Sequence, residues 1–318
     1  MRVSTSQIFN SGTIGIQNLQ YDLYKVQQQM STGRRVLTPQ DDPIAATQAL
    51  MVSQSKEVNA QYRKNIGDAT GKLNLLDSTL NSINDELQAI YERAVDAGND
   101  TYSAEQRGML ATELKQRMLS LINLGNTRDG MGNYIFSGFK SATQPFAVDA
   151  GATPPYDLNN TRVTYSGDGG VEALQVSGSR VMATSANGLD VFMQVRDAQG
   201  NVTGRSMFDN LQNLIDILDP ASGVPFDQAA YGQALDDSLS SIAHASSIRA
   251  SVGARLQSLE SMATATENNA YLYEIRLSEL QDLDYTEAIS RLARLQLQLE
   301  AAQLSFKQTS QLSLFNIL

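Results

Sequence analysis

Residues Ala69–Ala94 read ATGKLNLLDSTLNSINDELQAIYERA. Apolar residues recur at Ala69, Leu73, Leu76, Leu80, Ile83, Leu87, Ile90 and Ala94, stepping by four and three without a slip. A seven-residue repeat with two apolar positions keeps a narrow seam on one side of a helix, and such a seam is buried by another helix. The stretch therefore predicts a long helix packed against a second long helix. Asp42 followed by Pro43 marks its start as an N-cap and a first-turn proline. Gly98 marks its end.

A partner track stands in the second half of the chain. Ile242, Ala245, Val252, Leu256, Leu259, Ala263, Ala270, Tyr273, Leu277 and Leu280 follow the same spacing, with Arg249 and Thr266 on the same line. The helix carrying them is expected from about Asp227 to Leu280, too long for a globular core at about 1.5 Å per residue. Shorter helices fill in around these two. Ser103 with Gln106 forms a capping box ahead of Leu110, Leu114, Met118 and Leu121, stopping at Gly125. Phe208, Leu211, Leu214, Ile215 and Leu218 form another, ended by Pro220.

Both chain ends carry seams of their own. Ile16, Leu19, Leu23, Val26 and Met30 precede the break at Gly33-Arg34-Arg35, and Ala288, Leu292, Leu295, Leu299, Ala302 and Phe306 close the chain. In the last helix Leu297 and Leu304 fall at f positions, opposite the seam, flanked by uncharged Gln296, Gln298, Gln303 and Ser305. Between residues 133 and 204 the character changes to Pro, Gly, Asn and Asp clusters with short runs such as 162–165 and 189–195, read as strands and tight turns.

The expected fold is mainly α with a β-rich insert: a long antiparallel coiled-coil and helical-bundle rod built from both chain ends, with a small β domain at the far end and the two termini together. Residues 1–40 with 281–318 form a terminal coiled-coil assembly domain, 41–140 with 205–280 a helical rod domain, and 141–204 a β-rich outer domain. The assembly surface is assigned to Ile16, Leu19, Leu23, Val26, Met30, Leu292, Leu295, Leu297, Leu299, Ala302, Leu304 and Phe306.

Composition excludes several functions. The net charge is −10, which opposes binding to nucleic acid. Residues 141–240 hold four arginines, no lysine and twelve acidic residues, a net of −8, so this region is expected to face solvent. There is no cysteine, no tryptophan and one histidine, which removes thiolate chemistry and His- or Cys-rich metal sites. No leading apolar segment or run of membrane-spanning length is present. His244 lies among Ala243, Ala245, Ser246 and Ser247 and reads as structural. Asp41-Asp42, Asp236-Asp237 and Asp282/Asp284 read as helix-end carboxylates favoured by the dipole. Gly167-Asp168-Gly169-Gly170 lacks the Lys-Ser/Thr of a phosphate loop and reads as a hairpin turn. No catalytic, cofactor-binding or metal residue is nominated, no cofactor is expected, and neither nucleic acid, membrane nor small-molecule substrate is expected as a partner.

Two segments carry a family resemblance. Met30-Ser31-Thr32-Gly33-Arg34-Arg35-Val36-Leu37-Thr38-Pro39-Gln40-Asp41-Asp42-Pro43-Ile44-Ala45-Ala46 resembles the N-terminal signature of the bacterial flagellin family, and Gln308–Leu318 resembles its C-terminal end. The Pro39…Asp41-Asp42-Pro43 form, with Gly132-Asn133-Tyr134-Ile135-Phe136-Ser137-Gly138 and Thr143-Gln144-Pro145-Phe146, resembles the branch that joins hook to filament rather than filament flagellin. The resemblance implies a structural subunit, not an enzyme. It would polymerise through paired terminal helices into a ring between the first hook-associated protein and flagellin. It also implies flagellar type III export without a cleaved signal, after storage on an export chaperone, and an extracellular place on the flagellum. The alternative is a minor flagellin forming the filament itself.

Ordering about 80 terminal residues costs on the order of 1–2 kcal/mol each, while about a dozen seam side chains return roughly 1.5–3 kcal/mol each. The ends are thus marginal alone. Limited proteolysis of dilute monomer is expected to remove roughly 40 residues from each end and leave a core near residues 45–280; full protection of both ends contradicts the balance.

Overall fold

The structure is a computed structural model that describes residues 5–99, 102–154, 156–157, 159–197 and 199–315. It is mainly helical: α1 (Thr5–Thr32), α2 (Pro43–Ala97), α3 (Ala104–Gly125), α4 (Met207–Leu218), α5 (Gln228–Gln281) and α6 (Tyr285–Phe315). Four short strands lie between α3 and α4: β1 (Phe146–Val148), β2 (Val163–Tyr165), β3 (Ala173–Ser177) and β4 (Arg180–Ala183). The last residues of the expected C-terminal signature, 316–318, lie outside the described residues.

The chain divides into two compact units, residues 1–60 with 268–318 and residues 61–267. α2 and α5 each contribute to both. This division joins residues 41–60 and 268–280 to the terminal segments and leaves the strands with the larger unit.

In the larger unit the eight seam residues from Ala69 to Ala94 are all buried, as are Ala245, Val252 and Leu259 on α5. The helices run antiparallel: Asp77 pairs with Arg249 at 3.1 Å, and the Ser246 hydroxyl donates to Asn84 Oδ1 at 3.2 Å. The Tyr231 hydroxyl donates to the Ala94 carbonyl. Arg249, the polar interruption in the α5 track, thus holds a partner on α2. α3 starts at the Ser103–Gln106 capping box, and its Arg117 reaches Glu86 of α2 at 3.4 Å.

The β segment forms two separate antiparallel hairpins, β1 with β2 and β3 with β4, the second carrying a bulge between Gln175 and Ser177. Gly167–Gly170 links the hairpins rather than turning within one. Its Asp168 carboxylate instead accepts the N–H groups of Phe139 at 2.8 Å and Gly170 at 3.0 Å. The run at 189–195, expected as a strand, winds into a π-helical turn at Leu189–Met193. Asn187 Oδ1 accepts the Asp190 N–H at 2.8 Å and starts the coil. Val191, Phe192 and Met193 are then buried consecutively, where a strand would alternate.

Rings that are scarce overall gather here. Phe146 lies 4.8 Å from Phe192, 5.3 Å from Phe208 and 5.3 Å from Tyr165 between centroids, and Phe136 packs edge-on to Phe192 at 5.2 Å. Gly188 lies under this cluster: a Cβ there would meet the Phe146 ring at 2.6 Å and the Tyr165 ring at 2.7 Å. α4 follows a second capping box, Ser206 with Asp209. Asp236 and Asp237 are not helix-end residues, because α5 begins two turns earlier at Gln228. Asp237 pairs with Arg205 at 2.6 Å instead.

His244 of α5 is buried and donates Nε2–H to the Asp190 carbonyl at 2.8 Å, tying the helix to the π-helical turn. Burial pushes its pKa below the ordinary value. The unfolded chain titrates near about 6.5, so it binds a proton that the folded chain refuses, and stability falls as pH drops below that value. Urea unfolding of the native protein is expected to show this loss between about pH 7 and 5. His244→Gln is expected to flatten it; identical pH slopes for the two chains contradict the assignment.

Candidate assembly interface

The smaller unit is organised around the two places where the chain changes helix. α1 ends at Gly33, whose φ of +70° is the left-handed conformation that glycine adopts without strain. Residues 34–42 then lead into α2, and 282–284 lead from α5 into α6. The two connections are bonded to each other. The Arg35 N–H donates to the Gln281 carbonyl at 2.7 Å, and the Leu283 N–H donates to the Gly33 carbonyl at 2.9 Å. The Arg35 guanidinium adds a bond to the Leu280 carbonyl at 3.0 Å and one to Asp42 at 3.2 Å. Gln29 Nε2 donates to the Arg35 carbonyl at 2.5 Å, and the Tyr285 hydroxyl donates to the Met30 carbonyl at 3.1 Å.

The carboxylates of the N-terminal signature hold the loop. Asp41 pairs with Lys25 at 2.5 Å and accepts the N–H groups of Leu37 and Thr38 at 3.0 and 2.9 Å. The Lys25 ammonium, with those N–H groups, brings its pKa down to about 2. Asp42 caps α2 by accepting the Ala45 N–H at 2.9 Å, which lowers its pKa, as does Arg35 beside it. Asp284 caps α6 through the Thr286 and Glu287 N–H groups at 2.8 and 3.2 Å. These carboxylates act as caps and anchors. Among the described residues no group of three or more His, Asp or Glu side chains is arranged to hold a metal ion, and no helix is long and apolar enough to cross a membrane.

From this node α1 and α6 run as an antiparallel pair, Met30 level with Tyr285 and Phe9 level with Phe306. Val26 and Leu295 are buried in the seam. Ile16, Leu19, Leu23, Met30, Leu292, Leu299, Ala302 and Phe306 are half-buried, as two helices alone cover each other only in part. Leu297 and Leu304 stand outside the seam, 68% and 60% exposed.

Two seam members went unassigned in the sequence. Phe9 packs on Phe306 at 5.0 Å between centroids. Gly12 lies beneath the same ring, where a Cβ would come within 2.6 Å of it. Both continue the α1 track by steps of three and four; a glycine at a seam position breaks the apolar pattern while making room for the ring. Apolar surface is concentrated in this unit. Among the described residues, fifteen of the twenty-five exposed large apolar side chains belong to it, although it holds about a third of the chain.

Comparison with known proteins fits this geometry. Residues 3–141 match the bacterial flagellin N-terminal helical region. The flagellar hook-associated protein 3 of Escherichia coli (strain K12) is 33% identical over 329 residues, covering 100% of this chain and 99% of that protein. The crystal structure of the flagellar junction protein from Legionella pneumophila shares the fold, with a TM-score of 0.60 over 74% of this chain and 100% of that one, at 20% identity. Flagellin B of Helicobacter pylori (strain ATCC 700392 / 26695) is 25% identical over 187 residues, only 36% of its length. Likeness along the whole length thus runs to the hook-associated protein and not to the filament protein, and the chain belongs to the flagellar hook-associated protein 3 family.

Proposed function

We propose that this chain is the structural subunit that forms the junction between hook and filament of the bacterial flagellum, polymerising through its paired first and last helices. The observation that carries the reading is the α1–α6 pair: a seam only half closed within one copy, carried by a chain that matches hook-associated protein 3 from end to end. A minor flagellin would share the terminal helices but would build long filaments.

Its relatives are structural flagellar proteins, and no catalytic role is assigned to the chain. As a part of the external flagellum it works among other flagellar components. We infer that its direct neighbours are copies of itself in a ring, the first hook-associated protein on the hook side and flagellin on the filament side. We also infer export without a cleaved signal, through the flagellar type III channel, with a dedicated export chaperone covering the apolar terminal helices beforehand. The lack of cysteine suits a chain that crosses redox compartments, since no mispaired disulfide can form.

Ile16, Leu19, Leu23, Val26, Met30, Leu292, Leu295, Leu299, Ala302 and Phe306 hold the pair together in this account, and Leu297 with Leu304 faces outward for assembly. Burying each of those two leucines contributes roughly 1.5–3 kcal/mol per subunit. Leu297→Glu with Leu304→Glu is expected to leave expression, export and the protease-resistant core unchanged and to prevent a stable junction, so that flagellin is shed into the medium. Normal filaments on cells carrying only the double variant contradict the proposal.

A further inference from the structure

Of the twenty asparagines in the chain, only Asn187 precedes a glycine. That dipeptide carries a reaction of its own. The backbone nitrogen of the second residue attacks the asparagine Cγ and gives up its proton, ammonia leaves, and a five-membered succinimide forms. Water then opens the ring, either to aspartate or to isoaspartate, in which the main chain runs through the former side chain. Glycine in second place favours the attack, because it has no side chain to hinder it.

The fold requires both residues. Gly188 lies beneath the ring cluster, where a Cβ would meet the Phe146 and Tyr165 rings at 2.6 and 2.7 Å and the Phe136 carbonyl oxygen at 2.9 Å. Asn187 starts the π-helical turn with both ends of its amide. Its Oδ1 accepts the Asp190 N–H at 2.8 Å, while its Nδ2 donates to the Asp190 carboxylate at 2.9 Å and to the Gly169 carbonyl at 3.3 Å.

The same contacts block the reaction in the folded chain. Asn187 is 3% exposed and Gly188 is buried, so a base from solvent does not reach the Gly188 N–H. That N–H donates to the Phe136 carbonyl at 2.8 Å. The three bonds on the Asn187 amide keep its Cγ from turning onto the nitrogen. Reaction therefore waits on opening of the turn, and its rate follows the population of the open form.

The products do not fit the place they come from. Aspartate at 187 would set an oxygen against the Asp190 carboxylate and the Gly169 carbonyl, where Nδ2 now donates, so two bonds are lost and like charges meet. Isoaspartate would lengthen the main chain beneath a cluster with no space for one methyl group. Either change loosens the turn whose Asp190 carbonyl holds His244 of α5.

We propose that Asn187–Gly188 is a self-modification site, closed in the folded chain and open in the unfolded one, which removes aged chains from the pool able to fold. On the export reading above, subunits wait unfolded before they leave the cell, and the reaction limits that wait. This consequence rests on that reading, whereas the site does not.

The purified chain is incubated at mildly alkaline pH, native and in guanidinium, and residue 187 is followed by mass spectrometry of its peptide. Loss of asparagine is expected to be roughly a hundredfold or more slower in the native chain; equal rates overturn the proposal. The aged unfolded sample is then returned to native conditions. The refolded fraction is expected to hold intact Asn187 and the fraction that fails to refold to hold the products; products spread evenly between the two overturn the proposal. Asn187→Asp, which imitates one product, is expected to unfold at lower urea than the native chain, and an unchanged midpoint counts against the misfit. Chains retained in cells by disabled export are expected to accumulate the modification with time; retained chains that stay intact overturn the consequence and leave the site standing.

Discussion

Where α1 gives way to α2 and α5 gives way to α6, the two connections exchange backbone hydrogen bonds, Arg35 N–H to the Gln281 carbonyl and Leu283 N–H to the Gly33 carbonyl. The terminal unit depends on this exchange because a heptad seam is nearly indifferent to a slip of seven residues: leucine would still meet leucine. Polar contacts with only one good geometry remove that degeneracy. Arg35 and Tyr285 each reach across to a carbonyl that a slipped pair would carry away, those of Leu280 and Met30. Phe306 over Gly12 adds a steric lock near the other end, since a ring fits there only against a residue without a side chain. The larger unit uses the same device. Asp77 with Arg249, Asn84 with Ser246 and the Tyr231 hydroxyl on the Ala94 carbonyl set α2 against α5.

Placing the seam this way decides what is left over for assembly. Two helices can cover only one side of each other, so the unit keeps apolar residues on its outer faces that a monomer has no means of burying. Those faces are nearly free of charge, so burying them leaves few ionic groups stripped of water. In the larger unit the arrangement is reversed. Its seams are closed within the chain by α2, α3, α4 and α5, and the β segment beside them carries the acidic excess. On the proposed reading, folding and assembly fall to different residues of one chain.

The helices were legible because their signal is periodic and local. The run from Ala69 to Ala94, the Ser103–Gln106 capping box, Asp42 before Pro43 and the αL glycine at Gly33 each state an element and its boundary within a few residues. The β segment was legible as a change of character and not in its details. Leu189–Val195 has strand-like composition, yet Asn187 caps a π-helical turn there, and the choice is made by distant partners: His244 on α5 and the rings of Phe136, Phe146 and Phe208. No local pattern announces contacts of that range. Asp237 failed as a helix-end residue for a similar reason, because its partner Arg205 lies 32 positions away. At the interface the seam residues could be read from spacing, whereas Gly12 was hidden because its role is to be absent from the space that Phe306 fills. The clamp itself was present as a recognisable signature, but its partners on residues 280–285 emerge only when the chain ends are brought together.

The central claim is that this chain works at one place, the boundary between hook and filament. The direct measurement is the position of the protein on isolated flagella, read by electron microscopy with gold-labelled antibody raised against residues 61–267. The account predicts label confined to a narrow band where hook meets filament. Label distributed along the filament, or absent from the flagellum, would contradict it.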